Sequence, residues 1–250
     1  MSHRPIVFLG ALVAAAVVAA PALAGHAWGN YHWARTANPF TVPLGDNVTN
    51  TANSNWEGAL AEASADWSAS SVLDAPITAG QAGNPKSCKA RNGRIEVCNS
   101  RYGPNGWLGI AQIWTSGSHI VKAITKVNDT YYDGDQSVYD YDAERHVMCQ
   151  EIGHGFGLHH QDESGADLNT CMDYSNALDN PHPNAHDYQQ LGTIYAHLDS
   201  SSTVGFTAGE SGRVIHRRDT IASSYIVEDL GDGFLVHSFV SWALSSRPGR

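Results

Sequence analysis

The sequence predicts an α+β protein, and three observations carry that reading. Two long stretches, 107–114 and 119–128, have strand composition and are joined through Thr115-Ser116-Gly117-Ser118, as in a hairpin. Three others, 53–68, 143–155 and 186–198, read as helices. After Ser200 the composition turns to Ser, Gly and Thr with further strand signals, so residues 200–250 are expected to form a β-rich C-terminal extension.

The N-terminus comes first. Arg4 precedes an apolar run over 5–20, followed by Pro21-Ala22-Leu23-Ala24. A basic start, an apolar stretch and a small-residue exit predict a signal peptide, residues 1–24, cleaved after Ala24. The run falls short of the ~20 apolar residues a membrane anchor needs and is rich in alanine. Residues 25–199 are therefore expected to form the main domain of a secreted, extracellular monomer, with no membrane partner once the leader is gone. Without Arg4 the chain carries 14 Lys and Arg against 25 Asp and Glu, a net charge of −11. That balance argues against nucleic acid as a partner.

Four cysteines, Cys88, Cys98, Cys149 and Cys171, allow three pairings. Their even number suits two disulfides in an oxidising compartment, and Cys88–Cys98 with Cys149–Cys171 is the expected set. A thiolate metal site is the rival use, but no C-x-x-C pair exists.

Along the chain, an irregular lead-in bearing Asn, Thr and Trp precedes the helix over 53–68, which buries Trp56, Leu60, Ala63 and Trp67. Short strands are expected over 72–78 and 94–99, then the hairpin of 107–114 and 119–128. In its second strand Ile120, Ile124 and Val127 are apolar while Lys122 and Lys126 are not, so one face is expected in solvent. An acidic, Tyr-rich loop over 129–142 leads to the helix of 143–155, expected to end where Gly155 and Gly157 relax the backbone. A polar loop runs to Cys171. The helix over 186–198 follows, with Tyr188, Leu191, Ile194 and Tyr195 on its apolar side. In the tail, 225–228 and 234–242 are expected strands, forming either a separate appendage or an addition to the main body.

Residues 150–160 read Q-E-I-G-H-G-F-G-L-H-H, one letter from the zinc-site pattern H-E-x-x-H-x-x-G-x-x-H. Positions 150 and 154 share one helical face, so both side chains can converge on one ion. Glu151 lies on the flank, where a carboxylate can hold a water without ligating. Gly157 permits a sharp exit, which brings His160 back to the same ion. Catalytic zinc takes three protein ligands and leaves one position for a water, whose pKa it lowers to about 7. Glu151 would then serve as general base and acid. The plainer reading is a core helix with hydrogen-bonded histidines, which would serve for a lone histidine better than for this constellation. His159 falls outside the pattern and is expected in support or at the surface.

This stretch resembles the metzincin clan of zinc endopeptidases, and within it the matrixin-like secreted enzymes. Cys171-Met172-Asp173-Tyr174 looks like that clan's methionine turn. The segment 147–174, with the helix after it, also resembles a group of secreted actinobacterial proteins that carry Gln-Glu-x-x-His. The resemblance implies a metzincin-like zincin domain: a twisted sheet above a cleft, the motif helix as its floor, then the methionine turn and a C-terminal helix. It implies hydrolysis of peptide bonds in an extracellular protein or peptide, with one catalytic zinc. Gln150, His154 and His160 would be the metal ligands, Glu151 and Tyr174 the catalytic residues, and Met172 a support beneath the site. The strand 107–114 resembles the cleft-edge strand on which an extended peptide is laid.

The departure from the pattern is Gln150. An amide oxygen can ligate zinc but is a poorer donor than imidazole. Gln150 ligates, another residue completes the site, or the chain is an inert zinc-binding or protein-binding relative. His146, one turn earlier, is the nearest substitute, at a strained reach. Calcium could bind Asp162, Glu163 and Asp167, although a solvated acidic loop accounts for them equally well.

Overall fold

The computed structural model describes residues 25–81, 83–134, 138–175, 177–203, 212–220 and 222–243. The expected signal peptide lies outside them. The elements in chain order are β1 (His32–Trp33), β2 (Phe40–Thr41), β3 (Leu44–Asn47), α1 (Trp56–Ser68), β4 (Leu73–Asp74), β5 (Ile77–Ala79), β6 (Arg91–Asn92), β7 (Ile95–Ser100), β8 (Trp107–Ser116), β9 (His119–Asn128), α2 (Asp129–Tyr132), α3 (Tyr141–Gly155), α4 (Ala185–Ile194), β10 (Arg213–Asp219), β11 (Ser223–Gly231) and β12 (Phe234–Trp242). The fold is α+β, with a mixed sheet and few helices.

The main sheet runs β10-β11-β12-β8-β9-β7-β3-β5, with β1 and β6 also pairing β9. The strands from β10 to β9 are antiparallel along that path, while β7, β3 and β5 continue in parallel. Helix α3 packs on β7, β8 and β9, and α1 packs on α3. Trp56, Leu60, Ala63 and Trp67 are buried on α1 as the periodicity predicts, and the Trp67 indole donates to the Cys149 carbonyl at 3.1 Å. Asn55 caps α1 by accepting from the Gly58 N–H.

Several boundaries differ from the sequence reading. Helix α3 starts at Tyr141, because Asp140 caps it by accepting from the Ala143 N–H. The strand expected over 72–78 divides into β4 and β5, which join different sheets. Helix α4 ends at Ile194. Beyond it Arg35 donates to the His197 carbonyl and to Asp199 Oδ2, drawing the chain off the helical path. The irregular lead-in carries β1 and β3, held by partners on β9, β5 and β7 rather than by their own composition. Gly155 closes α3 against Ile95, whereas the turn itself belongs to Gly157 (φ 89°), where a Cβ would fall on the Tyr31 carbonyl.

Both cysteine pairs form as expected, Cys88–Cys98 and Cys149–Cys171. Two such bonds suit an oxidising, extracellular setting. Among the described residues no helix is long and apolar enough to cross a membrane. The tail adds strands to the main sheet: β12 lies antiparallel to β8 from Phe234 opposite Ser116 to Trp242 opposite Trp107.

Candidate metal centre

Close approach of α3 to its neighbours sets the geometry. A Cβ on Gly109 of β8 would sit 2.6 Å from Glu151 Oε1, and one on Gly153 would sit 2.5 Å from the Met172 sulfur. Glycine at both positions lets the helix lie against the sheet on one side and the 171–174 turn on the other. The Cys149–Cys171 bond fastens that turn to the helix.

His154 and His160 meet as the spacing predicts. Their Nε2 atoms lie 3.1 Å apart, and both side chains are buried. His154 Nδ1 donates to the Leu158 carbonyl at 2.9 Å, which leaves Nε2 with its lone pair directed at His160. Burial lowers His154 to about 3, against the opposing pull of the Leu158 carbonyl, and lowers His160 well below its ordinary value. Both are held neutral, as ligands must be. Two nitrogens on one tetrahedral zinc, at about 2.0–2.1 Å each, stand roughly 3.3 Å apart, so the pair fits. Phe239 stacks on the His154 ring at 3.9 Å and closes the other side.

Gln150 is placed beside this pair but its amide is engaged. Nε2 donates to the carbonyls of Cys171 (2.9 Å) and Asp173 (3.0 Å). Its Oε1 lies 3.0 Å from Ser241 Oγ on β12, which is also 2.5 Å from Glu151 Oε1. One hydroxyl has a single proton to give. A protonated Glu151 donating to Ser241, which donates in turn to Gln150, gives each of these two contacts a proton. Burial raises Glu151 to about 8, with the Ser241 hydroxyl and the Ala111 N–H opposing, which agrees with that proton count. The second carboxyl oxygen of Glu151 is buried without a partner. One lone pair of the Gln150 carbonyl is still available, and Gln150 lines one small cavity with His160, so by donor type two imidazoles and an amide oxygen suit zinc, if weakly. Among the described residues no third His, Cys, Asp or Glu joins the imidazole pair in a metal-sized group.

Tyr174 lies against His160, with ring centres 3.8 Å apart, and its hydroxyl accepts from Ser223 Oγ at 2.6 Å. Met172 is buried beneath Gly153. His146 turns Nδ1 to the Asn180 carbonyl at 2.9 Å and lines the same small cavity as Gln150 and His160. His159 accepts from the His160 N–H and lies 3.6 Å from Glu163, outside the pair. The acidic loop residues are spent locally. Asp162 holds Ser164, Asp167 holds Asn169 and Asn180, and Glu163 pairs with Arg218.

What the sequence reading missed is the covering strand. Phe239 and Ser241 of β12 and Ser223 of β11 all touch the site, and the cavity that Ser223 and Ser241 line with Gln150 and His160 is about 20 Å³, space for about one water. Composition over 234–242 marked a strand, but no local signal says which edge it joins. No family model matches the chain, and no curated protein matches its sequence.

Proposed function

We propose that this chain is a secreted zinc-dependent endopeptidase with a metzincin-like centre, held shut by its own C-terminal hairpin. The observation that carries the proposal is the pair of ligand-ready imidazoles, His154 and His160, meeting at 3.1 Å beside the buried carboxyl of Glu151. Gln150 supplies the remaining donor. Zinc held there contributes Lewis acidity toward a water and a scissile carbonyl. Glu151 is the proton carrier: once the hairpin lifts and water reaches it, the carboxyl gives its own proton to solvent, and the carboxylate then takes a proton from the attacking water and returns it to the leaving amine. Tyr174, once free of Ser223, can donate to the developing oxyanion. The substrate is an extracellular protein or peptide lying extended along β8, where β12 now lies.

The experiment is a casein-hydrolysis assay on the exported protein and on a Phe239→Ala variant that loosens the hairpin. Hydrolysis abolished by chelator and by Glu151→Ala supports the proposal; none in either protein sinks it. One observation favours a second reading, an inert relative that binds zinc or protein: both amide protons of Gln150 are committed to the 171–174 turn. Activity that arises from nothing on Gln150→His would select that reading.

A further inference from the structure

A second group of histidines gathers far along the chain from the motif. His32 of β1 stands opposite His119 of β9 in the parallel register, so the backbone sets the two imidazoles side by side. His197 and Asp199 arrive just past α4. Their placement is fixed by Arg35, which donates to the His197 carbonyl and to Asp199 Oδ2, while its carbonyl accepts from the Asp199 N–H at 2.8 Å.

Three ligand atoms, from His32, His197 and Asp199, converge, and His119 stands beside them on the carboxylate. Asp199 Oδ1 lies 3.4 Å from His32 Nε2, 3.1 Å from His119 Nε2 and 3.6 Å from His197 Nε2. The Nε2 atoms of His32 and His197 are 3.1 Å apart. His32 Nδ1 is 2.7 Å from the Asn30 carbonyl, to which it donates, and its Nε2 therefore presents a lone pair. That lone pair facing a carboxylate oxygen is repulsive unless a proton or a cation lies between them. Arg35 neutralises the other oxygen, so Oδ1 is free to face inward. Separations of this size match the roughly 3.3 Å between neighbouring ligands on a tetrahedral zinc.

We infer that His32, His197 and Asp199 form a second metal site, for zinc, with His119 holding the Asp199 carboxylate from the side. Two imidazoles and one carboxylate suit a divalent transition ion and not calcium or magnesium, which take oxygen. Three protein ligands leave the fourth position to a water. The ion pins the N-terminal strand to the chain leaving α4. His119 and His197 are 30% and 53% exposed, which gives the ion a route in and means that neither is needed to fill the core. The comparable group Glu62, Asp66 and His182 already receives the Arg145 guanidinium on Glu62.

The test is metal content and thermal midpoint of the full secreted chain, stripped with chelator and titrated with zinc chloride. A His154→Ala/His160→Ala variant isolates the second site and separates this inference from the peptidase proposal. It is expected to retain one equivalent of zinc and, at a hundredfold excess over Kd, to gain roughly 5–10 °C in midpoint. Adding His197→Ala and Asp199→Asn to it should remove both the equivalent and the gain, and calcium chloride should produce neither. A double variant that binds no zinc, or a quadruple variant that binds it unchanged, overturns the inference.

Discussion

Ser241 Oγ lies 2.5 Å from Glu151 Oε1, although ninety residues separate them in the chain. The contact brings the tail's last strand onto the flank of the motif helix. It also makes the β-rich extension part of the candidate centre, where its hydroxyl bridges the carboxyl and the Gln150 amide.

Loosening that strand should open the site. Phe239 is buried and stacked on His154, and its truncation to Ala costs on the order of 3 kcal/mol where the surroundings cannot close in. The loss should fall on β11 and β12. Amide exchange there should quicken with β7 and β9 unchanged, and zinc-dependent casein hydrolysis should rise at least several-fold. Faster exchange with no gain in hydrolysis would show that the hairpin does not restrain an active centre.

Replacing Gln150 by His should strengthen zinc binding, since imidazole is the better donor. A histidine has fewer protons to offer the carbonyls of Cys171 and Asp173, which the amide now serves together. The expected pattern is an affinity higher by tenfold or more in a chelator competition, with metal-free stability lower by about 1 kcal/mol.

Gly157→Ala should be among the costlier small changes. The residue has φ 89°, and the added Cβ would meet the Tyr31 carbonyl, which is backbone and cannot swing away. A loss of about 2 kcal/mol or more is expected from urea unfolding, together with weaker zinc binding through displaced His160. A loss below about 0.5 kcal/mol would mean that the turn relaxes freely.

Stability should fall as pH rises from about 5 to 8. Burial, reinforced by the charges of Asp133, Asp129 and Asp140, raises Glu144 to about 7, against the opposing Asn55 N–H. A folded value above the unfolded one favours the protonated form, so its contribution is full below about 4.5 and is lost as pH passes about 7. The Glu144→Gln variant should flatten that decline, by on the order of 2 kcal/mol between the two ends. Denaturant midpoints of both proteins at pH 5 and pH 8 measure it, and parallel slopes would assign the decline to other groups.

The sequence alone determined which elements exist where one short pattern carries the information. Strand composition marked β8, β9 and β12, and helical spacing marked α1 and α3. The Glu-x-x-His-x-x-Gly-x-x-His spacing made the meeting of His154 and His160 legible, because one helical turn and one glycine exit bring them to the same side; His26 and Trp28 then hold the segment between them. The cysteine pairing was legible for a similar reason, since each loop is local.

Only the tertiary structure decided what faces what. β1 and β3 have too few residues to declare themselves and exist because longer strands offer them hydrogen bonds. Whether β12 joined β8 or stood apart depended on an edge formed 122 residues earlier in the register of Trp114 and Val236, not on its own composition. His32, His119 and the His197–Asp199 turn are distant in sequence, and Arg35 and the β1–β9 register alone bring them to one point. Local spacing fixes a side chain's position within its own element, whereas convergence of separate elements is set by how the sheet is ordered.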